Sequence, residues 1–62
     1  MNENFKVELN RFLDIGRKKG NVNEEDIYFR LMKYDASTDE IYEFIDTIEK
    51  NGIKIIKSHE AD

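Results

Sequence analysis

Few side chains in this sequence are suited to catalysis. The histidine, His59, has no neighbour in sequence that would fix its tautomer, which a catalytic imidazole needs. The two serines, Ser37 and Ser58, are not surrounded by the glycines of a nucleophile elbow. Their positions favour a helix cap for Ser37 and a solvated tail for Ser58. The sequence therefore predicts a protein that is not an enzyme.

Two charged clusters contain residue types that bind phosphate or metal ions elsewhere. The first has three bases between Gly16 and Gly20: Arg17, Lys18 and Lys19. Its spacing fits neither the Walker pattern nor the dinucleotide fingerprint, and it follows a predicted helix rather than a strand. The second is the run of acids at residues 24–26, which lacks the ligand order of a calcium loop and suits the positive end of a helix dipole. We predict no cofactor and no metal.

The strongest charge feature is an acidic helix face. Five acids lie across a predicted helix from its apolar stripe: Asp39, Glu40, Glu43, Asp46 and Glu49. Residues 34–50 hold six acids and one base, Lys50, for a net charge of −5, whereas the whole chain has a net charge of −4. Binding to DNA phosphates requires Lys and Arg. This face should therefore repel a duplex and suit a basic surface, unless it is only a solvated helix surface.

The length of 62 residues limits the chain to one small domain. At roughly 0.05–0.15 kcal/mol per residue, its stability should be about 3–9 kcal/mol. The chain has no cysteine, so its core must hold without disulfides or thiolate zinc sites. It shows no signal-peptide pattern and no apolar run near the ~20 residues of a membrane span. We expect a monomeric cytoplasmic protein that does not contact a membrane.

Apolar periodicity predicts three helices. The first runs from about Glu3 to Ile15, with Gly16 ending it in the left-handed conformation. Its core face holds four residues: Phe5, Leu9, Phe12 and Leu13. The second starts at Asn23 as N-cap, and its broad apolar face comprises Ile27, Tyr28, Leu31, Met32 and Tyr34. The three tyrosines are expected at the edge of the core with their hydroxyls in water.

The third helix spans Thr38 to Lys50. Ser37 and Glu40 form a predicted capping box, and the pair Asn51-Gly52 stops the helix. Its apolar stripe consists of Ile41, Phe44, Ile45 and Ile48. We predict a mainly α fold, a compact three-helix bundle of helix-turn-helix type with a minimal two-stranded β element that joins the Val22 region to Ile53–Ile56. Residues 1–57 would form this single domain, and residues 58–62 a flexible tail.

Two alternative functions use other residues. An independent helix-turn-helix DNA-binding domain would use Arg17, Lys18 and Lys19, with Arg30 and Lys33. The acidic sign of the third helix counts against it. A protein-interaction domain, similar to the N-terminal domain of the polymerase delta subunit, would use Phe29 as its anchor. This aromatic residue lies on a charged helix face, as either a contact residue or a scattered exposed one.

Two segments together resemble region 1.1, the N-terminal region of primary bacterial sigma factors. Residues 13–27, LDIGRKKGNVNEEDI, resemble its opening, in which a glycine, basic residues and a second glycine precede an apolar residue and a helix start. Residues 37–55, STDEIYEFIDTIEKNGIKI, resemble its closing helix and the glycine-isoleucine end. The resemblance covers about residues 9–57.

The resemblance implies a regulatory function. In that family the domain restrains free sigma factor from binding promoter DNA, contacts core RNA polymerase in its basic downstream DNA channel, and leaves when the promoter opens. The five acids of the third helix would then stand in for DNA phosphates, with other regions of the same sigma factor as further partners. Phe29 and the basic residues 17–19 would be secondary contacts. Because the family continues through an acidic linker, we interpret the chain as an excised domain that does not itself bind DNA.

Overall fold

Three helices and two short strands make up most of residues 2–57, the part of the chain that the computed structural model describes. In chain order these elements are α1 (Glu3–Lys19), β1 (Asn21–Asn23), α2 (Glu24–Met32), α3 (Thr38–Lys50) and β2 (Lys54–Ile56). The predicted mainly helical fold is confirmed. The predicted tail, with its serine and histidine, lies outside the described residues.

Helix α1 is longer than the sequence indicated. It continues through Gly16 to Lys19, and Gly20 ends it with a φ of +85°. The expected end at Gly16 is therefore wrong. The reason is packing: a Cβ on Gly16 would lie 2.5 Å from Cδ1 of Ile53, so the glycine permits close approach rather than a left-handed turn. The three basic residues form the last turn of α1, where the helix dipole favours cations.

Helix α2 starts as predicted but buries a narrower face. The side chain of Asn23 accepts a hydrogen bond of 3.0 Å from the backbone N–H of Glu25. Ile27 and Leu31 are fully buried, whereas Met32 is 66% exposed. The helix ends at Met32, and the backbone leaves its helical path before Asp35, which has a φ of 54°. The expectation that Met32 belongs to the core is wrong because its side chain lies about 100° around the helix from Leu31, beyond the buried side that Ile27 and Leu31 form.

Helix α3 has both predicted ends. The Ser37 Oγ accepts from the Glu40 N–H at 3.2 Å, and the Glu40 Oε1 accepts from the Ser37 N–H at 2.9 Å, which completes the capping box. Asn51 caps the other end, and Gly52 follows with a φ of +82°. All four residues of the predicted stripe are buried.

The two strands pair in parallel, so the second half of the chain returns beside the end of α1. The register places Val22 beside Ile55. The backbone N–H of Lys54 also donates to the carbonyl of Gly20 at 3.3 Å. Ile53 and Ile55 are buried and Ile56 is 41% exposed, as expected for side chains that alternate along an extended segment. The predicted β element is confirmed.

One core joins all five elements. Its buried apolar residues are Phe5, Phe12, Leu13, Val22, Ile27, Leu31, Ile41, Phe44, Ile45, Ile48, Ile53 and Ile55. Phe12 of α1 and Phe44 of α3 meet edge to face, with ring centroids 5.9 Å apart. This packing fixes the rotation of α3, and the face opposite its stripe is turned to solvent.

Candidate functional site

The acidic face of α3 is the most distinctive surface of the described chain. All five predicted acids are exposed: Asp39, Glu40, Glu43, Asp46 and Glu49. They share one helix, whose apolar stripe is buried, so the fold holds their backbone positions rigidly. A set of carboxylates at fixed helical spacing can present negative charge to a basic partner.

These five carboxylates differ in their local partners. The Lys50 Nζ lies 3.0 Å from the Asp46 Oδ2, so this base offsets part of the charge at the C-terminal end. Glu40 is engaged in the capping box. Among the described residues, Asp39, Glu43 and Glu49 have no ion-pair partner. The charge available to a partner is therefore concentrated on these three acids.

Two tyrosines form an aromatic edge beside this face. Tyr42 of α3 is 59% exposed, and Tyr28 of α2 packs partly against the core. Partial burial raises the pKa of Tyr28 above its ordinary value of 10.0, and the nearby charge of Glu24 and a hydrogen bond with Tyr42 raise it further. The Tyr28 phenol is therefore neutral at physiological pH, and the hydroxyls of Tyr28 and Tyr42 can add hydrogen bonds to the contacts of the carboxylates.

The predicted secondary contacts lie on other elements. The three bases at the end of α1 are exposed, and the Lys18 Nζ is 3.7 Å from the Asp14 Oδ2. Phe29 of α2 is 67% exposed, with the Lys33 Nζ 5.3 Å from its ring centroid. These predicted contact residues lie on α1 and α2, and none of them belongs to α3.

A buried polar cluster of Glu8, Arg30 and Tyr34 is not among the features predicted from the sequence. Glu8 of α1 is only 4% exposed, and its Oε2 accepts a hydrogen bond of 3.0 Å from the Tyr34 hydroxyl. Its Oε1 makes no hydrogen bond and lies 3.7 Å from the Arg30 Nε. The expectation that all tyrosine hydroxyls face water is thus wrong for Tyr34, and the bond to the Glu8 carboxylate, with desolvation and the charge of Glu8, raises the pKa of Tyr34 above 10.0.

A sequence signal for this cluster exists. Glu8 follows Phe5 by three positions and precedes Phe12 by four, which is the spacing of one helix face. A carboxylate at such a position must find partners, because an unpaired buried charge is costly. The spacing in α1 therefore indicates that Glu8 is buried. It does not identify the partners Arg30 and Tyr34, because they are distant from Glu8 in sequence.

Other kinds of site receive no support from residues 2–57. In this range no group of three or more His, Cys, Asp or Glu side chains is arranged to hold a metal ion. Over the same residues, no helix has the length and apolar content needed to cross a membrane.

Comparison with known proteins relates this geometry to a family. The model of the family described as sigma-70 factor, region 1.1, matches residues 3–62, nearly the whole chain. The chain belongs to this sigma-70 region 1.1 family. It is therefore an N-terminal regulatory domain of a sigma factor, and it acts in transcription initiation with RNA polymerase. Searches of curated proteins and of solved structures gave no match.

Proposed function

We propose that this region 1.1 domain occupies the basic downstream DNA channel of RNA polymerase and restrains free sigma factor from binding promoter DNA until the promoter opens. The observation that carries the proposal is the acidic face of α3. Its three unpaired acids would occupy positions that DNA phosphates later take. The domain would act as a displaceable substitute for the duplex.

The character of this charge supports displacement rather than permanent binding. Exposed ion pairs each contribute only ~0.2–1 kcal/mol, and at physiological ionic strength their field decays over about 8 Å. Several such contacts hold a domain in a basic channel without preventing its release. Duplex DNA has a far higher density of negative charge, about one charge per 1.7 Å of axis, and would compete effectively for the same cations.

A charge reversal with a matched control tests the proposal. The test variant, Asp39→Lys with Glu43→Lys, changes the net charge from −4 to 0. The control, Glu3→Lys with Asp14→Lys, changes the net charge by the same amount on α1. The two variants are matched in position, because each replaces one acid in the first turn of its helix and one acid in a later turn. The control loses only two exposed ion pairs, at 3.9 and 3.7 Å. Both folds should survive.

Both variants are placed in a primary sigma factor that carries this domain. We expect the α3 variant alone to weaken docking in the channel and to increase promoter binding by free sigma, with circular dichroism confirming its fold. Equal effects of both variants would mean that only net charge matters. No effect of either would mean that the face is a solvated surface.

A further inference from the structure

A second surface lies between α1 and α2, and none of its lining residues belongs to α3. It consists of two adjoining clefts of about 270 and 260 Å³ that share Phe12, Ile15 and Asp26. These volumes fall just below the ~300–1,000 Å³ of small-molecule sites. Each cleft is open and suits one bulky side chain better than a whole cofactor. We call this surface the α1/α2 groove.

The groove exposes apolar side chains that the core does not use. Ile15, Phe29 and Ile56 line it and are 37%, 67% and 41% exposed. They come from α1, α2 and β2, so the fold brings them together from three elements. Exposed apolar side chains grouped in one concave surface are typical of a protein-interaction site.

The groove is also basic, in contrast to the chain as a whole. It is lined by Arg11, Lys19 and Arg30 against the single acid Asp26. Among the described residues, Arg11 and Lys19 have no ion-pair partner. The lining residues alone sum to +2, and the buried Glu8 that pairs with Arg30 lowers the local charge to about +1, while the chain has a net charge of −4.

Arg30 forms an ion pair with a buried carboxylate. Its Nε lies 3.7 Å from the buried Glu8 Oε1, and the Tyr34 hydroxyl fixes the other oxygen of Glu8 at 3.0 Å. Arg30 remains partly exposed and carries further N–H donors beyond Nε. The buried Glu8 and Tyr34 thus orient the guanidinium of Arg30 at the groove. A guanidinium that is already oriented loses less side-chain freedom when it binds a carboxylate.

We propose that the α1/α2 groove binds an acidic peptide segment of a partner protein that carries a bulky apolar side chain. The apolar side chain would cover Phe29 and Ile15, and flanking carboxylates would pair with Arg11, Lys19 and Arg30. A protein segment fits better than nucleic acid because Asp26 stands within the groove and would oppose a continuous phosphate backbone, which needs a series of cations. A peptide can place a backbone N–H at that position.

The test uses the 62-residue chain and a fluorescent synthetic peptide of glutamate and glycine with one central phenylalanine. Two control peptides replace the phenylalanine by serine or the glutamates by lysine, and single-stranded oligothymidylate represents nucleic acid. We expect the first peptide to bind tightest, its affinity to fall with salt, and amide NMR shifts to concentrate at Ile15, Phe29 and Ile56.

Variants on two surfaces make the result specific. Phe29→Ala and Arg11→Gln should each weaken binding about tenfold, the loss typical of an interface anchor. Tyr42→Ala, which removes another exposed aromatic residue, from α3, should leave affinity unchanged. The double reversal of Asp39 and Glu43 should also bind the peptide normally, so this inference can fail or hold independently of the channel proposal.

Several results would overturn the inference. These are no saturable binding at millimolar peptide, equal binding of the serine peptide, shifts centred on α3, or tighter binding of the oligonucleotide. Since Phe29 and Arg11 are exposed, their variants should remain folded, and circular dichroism verifies this.

Discussion

Replacing Gly16 by alanine should destabilise the domain, although alanine is the better helix former. Gly16 lies inside α1, where an exchange for alanine normally gains about 1 kcal/mol. Here, however, the new Cβ would meet three carbon atoms of Ile53, at 2.5, 2.6 and 2.9 Å. Carbon atoms in favourable contact are ~3.5–4.0 Å apart, so Ile53 or the helix must move.

The change in stability caused by Gly16→Ala is the difference between these two opposing effects. Overpacking a core costs about 1–3 kcal/mol, and the contact with three atoms of one β-branched side chain favours the upper part of that range. After the gain in helix propensity, the net loss should be about 1–2 kcal/mol. For a domain of this size each kcal/mol lowers Tm by roughly 4–8 °C, so we expect a decrease of roughly 5–15 °C.

A double-mutant cycle with Ile53→Ala separates packing from propensity. All four proteins are unfolded by urea in the same sucrose-containing buffer, because Ile53→Ala alone should cost about 2–5 kcal/mol. Without the isoleucine branch, Gly16→Ala should become stabilising by about 1 kcal/mol, which reverses the sign of its effect. If Gly16→Ala raises stability in the parent protein, the close packing of α1 on Ile53 is incorrect.

Three further predictions concern the core, pH and DNA. Ile48→Ala should destabilise more than Ile45→Ala, within the ~2–5 kcal/mol range, because Ile48 is 0% and Ile45 8% exposed; equal urea midpoints would contradict this. The pKa values of Tyr28 and Tyr34 are raised from 10.0, so the folded chain holds these protons more tightly than the unfolded chain does. The free energy of unfolding should therefore be constant below pH 10 with respect to these groups and fall as the pH rises further. In urea titrations between about pH 9 and about pH 11, Tyr34→Phe should make this decrease smaller. The domain alone should not bind duplex DNA at ordinary salt, and an anisotropy titration showing strongly salt-dependent binding would instead favour the DNA-binding alternative.

Features encoded within a few residues were predictable from the sequence. The capping box of Ser37 and Glu40, the cap at Asn23 and the stripe of α3 depend on neighbours within one or two helical turns. The acidic face followed from the same periodicity, since a buried stripe leaves the opposite side in solvent. The strand pairing was also predicted, because a run of isoleucines has few ways to bury itself in so short a chain.

Features decided by distant partners were not predictable. Gly16 resembles a helix end in its local sequence, but Ile53, near the other end of the domain, makes it a packing position. Glu8 and Tyr34 are 26 residues apart, so neither residue indicates the bond between them. The sequence shows Phe29 only as an aromatic residue on a charged helix face. The groove beside it required the placement of α1 and β2.

The most direct test of the channel proposal is a titration of the labelled domain against core RNA polymerase, with and without downstream duplex DNA. We expect saturable binding that weakens with added salt and is displaced by the duplex. The variant Asp39→Lys with Glu43→Lys should reduce this binding, and the control Glu3→Lys with Asp14→Lys should retain it. Binding that the duplex leaves unchanged, or equal binding of the α3 variant and its control, would contradict the proposal that this acidic face occupies the place of DNA.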